Sequence, residues 1–152
     1  MKKTFSIISF FILLTFSLLN INSCGSQEDT VSCFPDSQIS VNLNLNLATY
    51  NNLNYVGQPV YIDEQQSGTR GLIVVRTADV PASFKVYDRN APHLCPENNT
   101  TLEIKDNISI ICPKDNATWI LITGQPTAIS SVQPKTYFWS YDAATKNLNL
   151  YN

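Results

Sequence analysis

Two short stretches hold most of the side chains able to do chemistry. The first is Tyr87-Asp88-Arg89-Asn90-Ala91-Pro92-His93-Leu94-Cys95-Pro96, and the second is Cys112-Pro113-Lys114-Asp115. Imidazole and thiolate ligate metals, and thiols also oxidise to disulfides. His93 is the only histidine of the chain. One imidazole without a nucleophile motif defines no Ser-His-Asp arrangement. The Asp and Glu residues are spread as solvated charges, with no pair set for acid–base work. No enzyme is expected. Cys24 is a further reactive position, directly after Leu19-Asn20-Ile21-Asn22-Ser23.

The surroundings of Cys24 give that thiol its chemistry. Lys2 and Lys3 form a positive start, and Phe5 to Leu19 is apolar apart from Ser6, Ser9, Thr15 and Ser17. That run is short for a bilayer span of about 20 residues but suits the apolar region of an export signal. Ile21 and Ser23 before Cys24 resemble the bacterial lipobox. In a lipobox the thiol takes a diacylglycerol thioether before cleavage, and two or three acyl chains such as palmitate anchor stably where one binds reversibly. Residues 1–23 are therefore read as a lipoprotein signal peptide, with Cys24 the lipid-modified first residue of the mature protein. An ordinary signal with an incidental Cys and a retained membrane helix are the competing readings. Gly25 is not Asp, so the inner-membrane retention signal is missing, and the expected address is the outer membrane. Ser26-Gln27-Glu28-Asp29 resembles the surface-export tag of some Gram-negative lipoproteins, and a plain polar tether explains it equally well.

The bulk numbers narrow the class. A chain of 152 residues allows one domain with a real core. Losing Lys2 and Lys3 with the signal takes the formal charge from −2 to −4. The remaining basic residues, from Arg70 to Lys146, are scattered, whereas phosphate neutralisation needs them clustered, so no nucleic-acid partner is expected. With 14% charged and 11% aromatic residues the chain reads as globular.

The elements that must position these residues read as strands. Residues 24–38 form a polar tether, and 39–152 the domain. Val41 to Leu47 alternates apolar and Asn residues with the period of a half-buried strand. Val60-Tyr61-Ile62, Phe84 to Tyr87, Leu102 to Ile104, Ile108 to Ile111 and Trp119 to Ile122 are further strands. Leu72-Ile73-Val74-Val75 is a continuous apolar run suited to a buried strand. Tyr137 to Tyr141 and Leu148 to Tyr151 form a hairpin around Asp142 to Asn147, and Asn51, Asn52, Asn54 and Gly57 mark a turn. No window has a helical pattern, so the expected class is all-β, a small barrel or sandwich. The late aromatics read as packing, with a carbohydrate platform as the alternative. The N-x-S/T matches at Asn98, Asn99, Asn107 and Asn116 are chance in an Asn-rich chain.

From Gly68 to Tyr151 the order of these features resembles the Rieske ferredoxin-like domain. That family carries C-x-H on one loop and C-x-x-H on a second, roughly 15 to 20 residues later, and holds a [2Fe–2S] cluster on two thiolates and two imidazoles. Here a strand ending in Tyr87-Asp88-Arg89, a Pro-His loop, a hairpin, a Cys-Pro loop and a strand to Gly124-Gln125-Pro126 follow in that order. The resemblance implies stacked antiparallel sheets. It places His93 and Cys112 at two ligand positions, but Ala91 stands for the first Cys and Asp115 for the second His. Alanine has no donor atom, and a carboxylate is a hard substitute for imidazole on such a cluster.

The same resemblance brings the Cys95 and Cys112 loops together, and in an oxidising compartment it implies a Cys95–Cys112 disulfide in place of the cluster. Pairing of Cys33 with Cys95 or with Cys112 remains the competitor. Three functions are open. The leading one is a cluster-free, non-catalytic binding or structural lipoprotein with no cofactor and no metal. The next is an electron carrier with an altered [2Fe–2S] or other metal site such as zinc. The last is a surface sugar-binding protein. The membrane is the expected partner of the lipid, and a protein or glycan partner is left unnamed.

Overall fold

The computed structural model describes residues 30–152, so the signal, Cys24 and the start of the tether lie outside the described residues. Among the described residues, ten strands form three antiparallel sheets. The first sheet has the order β1-β10-β9, from β1 Ser40–Asn44, β10 Asn147–Tyr151 and β9 Phe138–Asp142. The second is β2-β3-β4, from β2 Pro59–Ile62, β3 Leu72–Ala78 and β4 Ser83–Asp88. The third is β5-β6-β7-β8, from β5 Glu103–Lys105, β6 Ser109–Ile111, β7 Thr118–Ile120 and β8 Pro126–Ala128. The expected all-β class of stacked antiparallel sheets is the observed one.

The β2-β3-β4 sheet is the central layer. Side chains alternate across a strand, so adjacent residues of β3 face opposite ways. Leu72 and Val74 join one core with Ile62, Phe84, Val86, Leu43, Leu148 and Leu150. Ile73 and Val75 join a second with Tyr87, Leu102, Ile110, Trp119 and Leu121. Burial on both faces is why β3 reads as an unbroken apolar run although its pairing is antiparallel.

The outer sheet shows the opposite pattern. Val41 and Leu43 face the core, while Asn42 is exposed and pairs in register with Asn149, which pairs with Ser140. Two elements differ from the sequence expectation. Ala48–Asn54 is a 3-10 helix that buries Tyr50 and Leu53, one turn apart, where a turn was expected. β8 is a short polar strand with no apolar signal of its own.

Candidate functional site

The loop after β4 and the loop after β6 meet at one end of the second core. Asp88 closes β4 with a buried carboxylate. Its Oδ1 accepts the Asn90 backbone N–H at 2.7 Å and Asn90 Nδ2 at 2.8 Å, and its Oδ2 accepts the Tyr137 hydroxyl at 2.6 Å. Burial, and then this bond to Asp88, push the Tyr137 phenol above its ordinary value. The loop is fastened further where the Ala91 N–H donates to Thr100 O at 3.2 Å. Arg70 holds the far side, donating to the hydroxyls of Thr100 and Thr101 and to Glu97 O.

The second loop is a tight turn. Asn116 N–H donates to Cys112 O, Cys112 N–H to Ala117 O, and Ala117 N–H to Asp115 Oδ1 at 3.0 Å. Asn116 sits at a φ of 64°, which Asn tolerates better than most residues. β7 then carries Trp119, whose indole N–H donates to Val132 O at 2.8 Å. The turn after β7 brings Gly124 against Tyr87. At a φ of 75°, a Cβ there would meet the Tyr87 ring at 3.0 Å, so a side chain is strained on both counts.

These loops bring the four sequence-predicted positions into one neighbourhood. Ala91 and Cys112 are buried in the same core as Trp119. His93 Nε2 lies 2.7 Å from Asp115 Oδ2, with the imidazole ring 5.6 Å from the Trp119 ring. Burial alone would raise the Asp115 carboxyl. The Ala117 N–H and the hydrogen bonds to His93 and Cys112 outweigh it and hold the group below its ordinary range. Burial pushes the Cys112 thiol up, which disfavours thiolate.

The expected Cys95–Cys112 disulfide is not formed. Cys95 is bonded to Cys33, with Cα atoms 5.5 Å apart, and Cys112 is a free, buried thiol. The reason is which way each thiol faces. Cys112 directly follows β6 and packs inward beside Ala91 and Trp119. Cys95 lies beyond His93, where the Val31 N–H donates to Pro92 O at 3.0 Å and brings Cys33 alongside. Sequence reasoning also missed Asp88 and Trp119 as the supports of the two loops. The Asp88-x-Asn90 spacing, an Asx-type turn, was the available signal for the first.

A Rieske-type cluster requires two thiolates and two imidazoles. Ala91 offers a methyl group, the Cys95 sulfur is bonded to Cys33, and the Asp115 carboxylate is engaged by His93. His93 Nδ1, buried without a hydrogen-bond partner, and Cys112 Sγ are the donors left at the expected positions. These residues do not fit the cluster.

No family model and no curated protein matches the sequence. Solved structures similar to it include the ferredoxin of carbazole 1,9a-dioxygenase from Nocardioides aromaticivorans IC177, at 20% identity and a TM-score of 0.44, over 76% of this chain and 98% of that one. A complex of reduced oxygenase and oxidized ferredoxin in carbazole 1,9a-dioxygenase is similar at 14% identity and a TM-score of 0.43, over 77% of this chain and 94% of that one. At these values neither likeness carries a cofactor, partner or activity over to this chain.

Proposed function

We propose that the chain is a lipid-anchored protein of the bacterial cell envelope, with a Rieske-like domain that has lost its iron–sulfur cluster and serves a non-catalytic binding or structural role. The observation that carries this reading is the contact between His93 and Asp115 at the cluster-ligand positions. With Ala91 in the core and Cys95 bonded to Cys33, it ties the two loops through the protein's own side chains. The order of strand, His loop, hairpin, Cys loop and strand supports the Rieske-like assignment. Iron analysis of the purified protein tests the loss of the cluster.

The lipobox-like Ile21-Asn22-Ser23-Cys24 supports the anchor. Cys24 precedes Cys33 by nine residues, a reach of about 30 Å when fully extended. Because Cys33 is fixed to Cys95, an anchored chain would keep the His93 loop near the membrane surface. Labelling with palmitate tests the anchor: label on the native protein and none on Cys24→Ser supports it, and an unlabelled native protein refutes it. Protease treatment of intact cells then distinguishes the two faces of the outer membrane.

One observation favours the alternative, an electron carrier with an altered [2Fe–2S] or other metal site. The buried, unpartnered His93 Nδ1 is a free donor atom. Coloured protein with stoichiometric iron and sulfide would be its signature.

A further inference from the structure

We propose that the outward face of the β1-β10-β9 sheet binds neutral oligosaccharide chains. This gives the binding role proposed above a ligand class and rests on that reading, but not on the anchor. Register builds the face. Ser40, Tyr151 and Phe138 lie abreast in one row, and Asn42, Asn149 and Ser140 in the next. Neighbouring strands are about 4.8 Å apart and successive rows about 6.8 Å, so the two rows span an area comparable to a sugar ring and its hydroxyls.

The chemistry of the rows matches that ligand. Phe138 and Tyr151 are 68% and 44% exposed, with ring centroids 5.9 Å apart and planes at 28°. The two rings stack on one another and leave exposed apolar ring surface suited to the C–H face of a pyranose. Beside it, Asn42 donates to Asn149, and Asn149 Nδ2 reaches Ser140 Oγ at 3.4 Å. This amide and hydroxyl ladder is held in place by its own bonds and keeps donors and acceptors facing outward.

Charge narrows the ligand. The outward strand positions carry no Lys or Arg, and Asp142 is their only ionisable carboxylate. Lys146 lies in the turn beyond the strands. A phosphate- or carboxylate-rich chain finds no cation on this face and one like charge, whereas an uncharged polyol gives up nothing. A protein partner or second copy would find only two apolar anchors on a field of amides, against the aromatic-centred cores of protein interfaces.

The test uses the mature protein in a polyoxyethylene detergent, which has no sugar headgroup, on an array of neutral hexose and N-acetylhexosamine oligosaccharides with polygalacturonate as the anionic control. Binding to a neutral set, with affinity falling on the order of tenfold or more in Phe138→Ala and in Asn149→Lys, is expected. Ile129→Ala, an exposed apolar residue next to the β8 strand of another sheet, should leave binding unchanged. Both test positions are on the exposed face, and unchanged thermal melting of the variants separates lost binding from lost folding. Binding to no neutral glycan overturns the proposal, as does binding unaffected by both substitutions. A dimer by sedimentation that Phe138→Ala dissociates would assign the face to a second copy and also overturn it. Iron content and acylation of the same preparation report separately on the cluster and the anchor.

Discussion

His93 Nε2 and Asp115 Oδ2 lie 2.7 Å apart and join two loops separated by 22 residues of chain. In a Rieske site these positions would be bridged by iron through two imidazoles. Here an imidazole N–H donates directly to the Asp115 carboxylate, and this hydrogen bond ties the two loops. Trp119 lies behind the imidazole, and the Ala117 N–H orients the carboxylate.

This contact makes stability depend on acid. Asp115 is held below its ordinary value in the folded protein. Its contribution is therefore complete above the unfolded value of about 3.9 and is lost as pH falls through the lower, folded value. Asp115→Asn should cost about 1–2 kcal/mol at pH 7 and nearly nothing at the acid end. Urea melts across pH 2 to 7 measure it. An equal cost at both ends would mean that the carboxylate charge has no part in the contact.

Cys33–Cys95 closes a loop of 62 residues. In the chain-entropy model such a closure stabilises by roughly 4 kcal/mol, so Cys33→Ser should lower stability by up to about that amount. A non-reducing peptide map should show Cys33 linked to Cys95, with the Cys112 thiol alkylated only after unfolding. A Cys95–Cys112 linked peptide would contradict the observed pairing.

Adjacent residues of β3 should be equally sensitive. Leu72 and Ile73 are each fully buried, in different cores. Leu72→Ala and Ile73→Ala should each cost about 2–5 kcal/mol. A strand with one wet face would show one cheap position of the two, and that result would contradict the three-layer arrangement.

Much of the fold was legible because burial writes itself into residue type. Leu72 to Val75 is apolar without a break since both faces of β3 are covered, and Val41 to Leu43 alternates since one face of β1 is wet. β8 and the 3-10 helix at Ala48–Asn54 were not legible, because Pro126-Thr127-Ala128 contributes no core residue and Tyr50 and Leu53 alone anchor the helix. At the site, Ala91, His93, Cys112 and Asp115 were readable as a set from their order on two loops. The partner of Cys95 was not, since spacing cannot choose among three thiols and the choice came from the Val31–Pro92 backbone contact.

Loss of the cluster from this domain is tested most directly by the iron and sulfide content and visible spectrum of the mature protein, made with iron supplied and purified without air. Colourless protein with iron and acid-labile sulfide far below one per chain is the predicted result. Brown protein with visible charge-transfer absorption and about two irons and two sulfides per chain would contradict it.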